Sequence, residues 1–194
     1  MIIIILESVC WKGLNLDTTD DTPAPVLRRL AAEGVAAKCY VSLPHSSKAQ
    51  FTILTGTHPC SGVEIREAMR ERSASVIWSL RAHKGASTVC FSVQYLPFEN
   101  TAGMLGACGI RTLFGPDQLS KSPAPQSAAQ SSFGADDALL LRLPPQWMSE
   151  AGKPFAAVFI TMAAHYPYNW PGKTASRLAS TAPTFTTIRC TKRR

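Results

Sequence analysis

A chain of 194 residues and 21.0 kDa fits one domain with a full hydrophobic core and leaves no room for two α/β domains. With 45% hydrophobic and 17% charged residues, it is too apolar for intrinsic disorder, and no apolar run is long enough to span a bilayer. Four of the seven net positive charges come from Arg189, Lys192, Arg193 and Arg194, leaving +3 for the rest; no basic stripe interleaved with aromatics is present, so no nucleic-acid partner is expected.

Residues 2–6 open the chain as a continuous β-branched and aliphatic run, the pattern of a strand buried on both faces of a parallel sheet. They lack the basic flank, length and small-residue cleavage site of a signal peptide. Thr22-Pro23 reads as a helix start, with Val26, Leu27, Leu30 and Ala31 on one face until Gly34. Residues 35–43 read as a second strand. Ser46-Ser47 then opens a helix whose Phe51, Ile53 and Leu54 face a core before Gly56 stops it. Residues 75–84 predict another helix, with His83 and Lys84 in its last turn and Gly85 just beyond, followed by a strand over 88–93.

A short helix over 100–107 and a short strand over 112–114 continue the alternation. Residues 115–132 turn to Pro, Ser, Ala and Gln and read as a surface excursion. Asp136 and Asp137 are expected to cap a helix over 138–150 that Pro144-Pro145 must kink, and residues 155–162 form one more buried strand. The sum is an α/β fold, a Rossmann-like, mainly parallel open sheet with helices on both faces. From residue 174 to 194 no period is visible, and the segment reads as an irregular basic tail.

In open parallel sheets ligands gather beyond the carboxyl ends of the strands, where loops converge and helix N-termini point inward. Three polar residues stand at such positions: Glu7 after the first strand, Ser46 before the second helix, and His165 three residues past Met162. A carboxylate can hold a divalent cation, a hydroxyl on that cation at a helix N-terminus becomes a nucleophile, and an imidazole can hold a phosphate-like oxygen. Each also has an ordinary structural reading: Ser46 as an N-cap, Glu7 as a solvated loop carboxylate, His165 as a packed turn residue. His45, His58 and His83 read as structural. The six cysteines, Cys10, Cys39, Cys60, Cys90, Cys108 and Cys190, show no CxxC or short Cys/His spacing, which argues against a zinc finger or redox dithiol and leaves most as buried thiols. There is no GxSxG elbow and no GxGxxG after a strand; residues 167–174 end like a phosphate-binding loop but begin with proline where that loop has glycine.

Five pieces in order carry a family resemblance: IIIILES over 2–8, PVLRRLAAEGV over 25–35, SSKAQFTILTG over 46–56, FGADD over 133–137 and HYPY over 165–168. Together, to about residue 173, they resemble the sulfatase branch of the alkaline phosphatase superfamily, closest to the lipoteichoic acid synthase and phosphoglycerol transferase type. The resemblance implies an alkaline phosphatase-like sheet. It makes Glu7 a metal ligand, Ser46 the nucleophile and a second ligand, and His165 a residue holding the phosphate or sulfate. The implied cofactor is a divalent ion (Mn, Mg, Zn or Ca), and the implied substrate is a phosphodiester, phosphoglycerol or sulfate ester.

Two departures shape what to expect. Ser46, Lys48, Ala49 and Gln50 stand where sulfatases carry CxPSR, so a hydroxyl nucleophile suited to phosphoryl transfer replaces the formylglycine precursor. The Asp-His pair that closes the family's metal site occurs nowhere in this sequence. Residues 1–173 are therefore expected to be a partial, sulfatase-like catalytic domain, truncated at its C-terminus and with little turnover of its own; its parent would be membrane-associated, with the catalytic domain outside the cytoplasm. The alternative is a non-catalytic anion- or partner-binding remnant of the same fold. The resemblance makes one geometric prediction: the Glu7 carboxylate and Ser46 hydroxyl lie within a few ångströms of each other, because both must reach one cation at about 2.0–2.6 Å.

Overall fold

The computed structural model describes residues 1–14, 16, 22–62, 73–121, 130–131, 133–141, 143–152 and 154–165. The expected tail over 174–194 lies outside them.

The centre is a four-stranded, all-parallel sheet in the order β1-β6-β2-β3, built from β1 (Ile2–Ile5), β2 (Ser87–Ser92), β3 (Thr112–Phe114) and β6 (Phe155–Ile160). β6 is paired on both edges, with Ile5 opposite Ile160 on one side and Ser92 opposite Ile160 on the other. A two-stranded antiparallel ribbon, β4 (Gln130–Ser131) and β5 (Gly134–Ala135), extends the end of β2 through a bridge between Gln94 and Gly134. A Cβ on Gly134 would fall 2.1 Å from the Val93 carbonyl oxygen, so only glycine permits this approach.

Strand alternation sorts the core into two faces. On one, Ile3, Ile5, Cys90, Val158 and Ile160 pack under helices α3 (Ser46–Thr55), α4 (Val76–Lys84) and α5 (Thr101–Ala107), which contribute Leu54, Ile77, Met104 and Leu105. On the other, Val89, Phe91 and Ala157 pack against α6 (Pro116–Ser120), a 3₁₀ turn at Asp137–Leu141 and α7 (Leu143–Glu150). The expected signals set the ends of these helices. Ser75 caps α4 by accepting from the Trp78 amide, while Gly56 and Gly85 close α3 and α4 in the left-handed region. α1 (Trp11–Leu14) and α2 (Pro25–Glu33) lie in the N-terminal arm. No described helix is long and apolar enough to cross a membrane.

Several expectations are corrected. β1 is not buried on both faces: Ile2 and Ile4 are 52% and 61% exposed, because the second core contains no β1 residue. Residues 35–43 form no strand, and Val35 is 96% exposed; an apolar run becomes a strand only where an edge receives it, and the described partner of β1 is β6. The helix after Thr22 begins at Pro25 with Val26 and Leu30 exposed, and Ile53 of α3 faces solvent. The excursion over 115–132 is not all surface, since Leu119 of α6 is fully in the core. The helix expected over 138–150 is split into the 3₁₀ turn and α7, which starts just before Pro144-Pro145, where proline costs no hydrogen bond. Cys10, Cys39 and Cys60 are exposed, leaving Cys90 and Cys108 as the buried thiols among the described residues.

Fully buried Phe91 joins three rings on the second face: it stacks on Phe114 at 5.2 Å, tilts against Phe159 at 5.3 Å and meets Trp147 edge-on at 6.0 Å. Phe91→Ala is expected to cost about 3–5 kcal/mol, whereas Ile4→Ala should stay within about 0.5 kcal/mol, a contrast that urea unfolding of the two variants measures.

Candidate active site

The site begins where β1 and β6 run out together. The Thr161 amide donates to the Ile5 carbonyl at 3.1 Å, and the Glu7 amide donates to the Thr161 hydroxyl at 3.2 Å, so the chain leaving β1 is held against the end of β6. Ser8 then takes φ +58°, a sharp left-handed turn, and its hydroxyl donates to Glu7 Oε1 at 3.3 Å. Glu7 is thus aimed by backbone ties on one side and a serine on the other.

α3 supplies the partner. His45, in extended conformation, is its N-cap and makes no side-chain cap bond; Ser46 is already the first helical residue. The Ser46 hydroxyl donates to Glu7 Oε1 at 2.7 Å, across 39 residues of sequence. That contact satisfies the geometric expectation and removes the capping reading of Ser46, since the hydroxyl is engaged with a carboxylate and not with the helix amides. No strand over 35–43 delivers Ser46 to this place; α3 is brought in by its own packing on the first face, through Leu54 and Phe51. Two residues on, Lys48 is 7% exposed and donates through Nζ to the Ser61 carbonyl at 3.3 Å.

His165 sits at the same edge, on the turn after β6, where its amide donates to the Met162 carbonyl at 3.0 Å and its ring lies 4.5 Å from that of Phe133. The turn is shaped by Asp137, which accepts from the Met162 amide at 2.7 Å and the Ala163 amide at 3.2 Å. Asp136 accepts from the Ala138 amide at 2.8 Å and so caps the 3₁₀ turn that stands in place of the start of the expected helix. Asp137 does not cap a helix: its side chain closes the end of β6. Burial pushes its carboxyl above the ordinary range, the two amides pull the other way, and neighbouring Asp136 adds to the rise.

Sequence reasoning missed a carboxylate that meets the residue just before α3. Glu99 Oε1 lies 3.3 Å from His45 Nε2, and His45 Nδ1 pairs with the Ser47 hydroxyl at 3.1 Å. No local motif marks Glu99, which follows a proline-aromatic pair in a loop. Among the described residues no group of three or more His, Cys, Asp or Glu side chains has metal-holding geometry. The oxygens of Glu7 and Ser46, both hard donors, fit as two corners of a shell around a hard divalent ion. The buried thiols offer no alternative nucleophile: burial pushes Cys108 up to about 11 and Cys90 further still.

This architecture is the alkaline phosphatase-like fold. The chain superposes on a protein in the alkaline phosphatase superfamily from Vibrio parahaemolyticus with a TM-score of 0.73 at 20% identity, over 89% of this chain and 42% of that one. It superposes on the lipoteichoic acid synthase LtaP from Listeria monocytogenes with a TM-score of 0.68 at 18% identity, over 87% of this chain and 41% of that one. The chain therefore spans about two fifths of the length of these solved structures. No family model and no curated protein matches the sequence.

The raised Asp137 carboxyl has a definite sign in stability. A proton bound more tightly in the folded than in the unfolded chain stabilises the fold below the ordinary carboxylate pKa, and that contribution is lost as pH rises through the raised folded value. Compared with the non-titrating Asp137→Asn variant, the wild-type chain should be relatively more stable at pH 4 than at pH 7, as read from denaturation midpoints of both proteins at each pH.

Proposed function

We propose that this chain carries the nucleophile side of a sulfatase-like hydrolase or phosphotransferase, acting on a phosphodiester, phosphoglycerol or sulfate ester through Ser46. The observation that carries the reading is the 2.7 Å hydrogen bond from the Ser46 hydroxyl to Glu7 at the start of α3. In this geometry Ser46 Oγ attacks phosphorus or sulfur and gives up its proton to solvent by way of the Glu7 carboxylate, which stays ionised; the bond to the leaving alkoxide breaks as the new ester bond forms, and the alkoxide takes a proton from solvent. The first-turn amides of α3 lack a side-chain cap and face the negative charge that develops on the transferred group. His165 would hold one of its oxygens. Water, or an acceptor hydroxyl in a transferase, then displaces Ser46 and restores the free hydroxyl.

Glu7 and Ser46 would hold the divalent ion, which when bound supplies Lewis-acid stabilisation of the attacking oxygen. The likeness to LtaP supports a phosphoglycerol-type substrate and, for the parent protein, membrane association. A second reading, a non-catalytic anion-binding site on the same α3 terminus, draws support from the scarcity of further ligands among the described residues.

The test incubates the chain with a chromogenic phosphodiester and Mn²⁺, then maps the quenched protein by mass spectrometry. The expected result is a phosphoryl adduct on the peptide containing Ser46, absent in Ser46→Ala and formed about 10²-fold or more slowly in Glu7→Gln. Turnover unchanged in Ser46→Ala would remove Ser46 as nucleophile. No adduct, but chemical-shift changes of the α3 amides on titration with inorganic phosphate, would favour the anion-binding reading.

A further inference from the structure

Positive φ at non-glycine residues is confined, among the described residues, to Ser8, Glu99 and Asn100. Ser8 adjoins Glu7. Glu99 and Asn100, at φ +50° and +49°, belong to a 3₁₀ turn over Phe98–Asn100 whose Glu99 carboxylate reaches His45, the residue before Ser46. Backbone strain of this kind persists only where the surroundings over-determine it, and it gathers at functional sites.

The surroundings here are specific. The Thr101 hydroxyl donates to the Phe98 carbonyl at 2.7 Å, and so has no hydrogen left for Gln94. Gln94 must therefore turn its amide nitrogen to Thr101, at 3.4 Å, and its Oε1 to the Gln50 amide nitrogen, at 3.2 Å. That direction leaves Gln50 Oε1 as the one end of the chain without a partner. All three side chains are buried, at 1%, 4% and 0% exposure for Gln50, Gln94 and Thr101. Gln50 lies one turn after Ser46, on the same face of α3. The Glu99 turn thus grips the N-terminal part of α3 twice: one turn in, through Gln50, and at the rim through His45, whose two ring nitrogens are engaged by Glu99 and Ser47. Ser46 lies between the two grips.

We propose that Glu99 is a positioning residue: acting through His45, it holds the first turn of α3 so that the Ser46 hydroxyl stays on Glu7. The buried Gln50–Gln94–Thr101 chain keeps Glu99 in the left-handed conformation this reach requires. The proposal deepens the nucleophile reading of Ser46 and rests on it for its effect on turnover, but the positioning itself can be measured without turnover.

The Ala49 amide donates to the His45 carbonyl at 2.9 Å and closes the first turn of α3; its hydrogen exchange, resolved by NMR, reports that turn. Glu99→Ala is expected to speed Ala49 exchange about tenfold while leaving the Leu54 amide unchanged. Glu99→Gln, which keeps an acceptor for His45, should stay within about twofold of wild type. Glu99→Gly relaxes the left-handed backbone without restoring the acceptor, and should exchange like Glu99→Ala. Where phosphodiester turnover is measured, Glu99→Ala should lower kcat with KM unchanged. Wild-type Ala49 exchange in Glu99→Ala or in Glu99→Gly overturns the proposal, as does Glu99→Gln exchanging as fast as Glu99→Ala. If Ser46→Ala leaves turnover intact, the nucleophile reading fails by itself, and the exchange comparison still decides the role of Glu99.

Discussion

The structure depends on β6 lying between β1 and β2. β6 is the last strand described, yet its amides and carbonyls pair with the first strand on one edge and the second on the other. Backbone groups buried this deeply must be paired, so the ends of the described chain have to meet. The N-terminal ammonium of Met1 donates to the Phe155 carbonyl at 2.7 Å and marks the start of that register; the Glu7 amide on the Thr161 hydroxyl marks its end. The entropy of closing so long a loop grows only slowly with its length, and the two ladders together with both cores offset it. Ala156 and Ala157, both fully buried, let layers pack closely on either side of this strand.

From that pairing follows the location of every candidate group. Glu7 leaves β1 and His165 follows β6, so parallel neighbours deliver both to one edge. α3 arrives at the same edge because Leu54 and Phe51 bury its inner side against the first face. The aromatic second face, centred on Phe91, serves instead to anchor the 3₁₀ turn and α7, and through the turn Asp137, which shapes the loop carrying His165. Each face of the sheet therefore positions a different part of the site.

The likeness to structures of about one-fifth identity reflects the same physics. What such chains must share is the spacing of buried residues, the helix stops and the parallel order of strands, none of which requires particular identities at most positions. Strain is the exception. At Ser8, Glu99 and Gly134 the backbone adopts conformations or approaches that only a few side chains tolerate, and all three lie at or beside the carboxyl edge where the candidate groups gather.

The sequence by itself determined the elements whose signals are local: the core strands β2, β3 and β6, the helix α4 with Ser75 before it and Gly85 after it, and α3 ending at Gly56. Caps and stops act within about four residues of the groups they satisfy. It also singled out Glu7, Ser46 and His165, because strand ends in a parallel sheet are where polar residues gather for chemistry. Only the tertiary structure decided that β1 is open on one face, that residues 35–43 find no edge, that Asp137 serves β6 and not a helix, and that Glu99 reaches His45. Each of those outcomes depends on which groups meet across tens of residues or more, as with Ser46 and Glu7 at a separation of 39. Hydrophobic period and turn chemistry carry no record of such partners, since the same apolar run or carboxylate suits an edge, a cap or a loop until packing selects one.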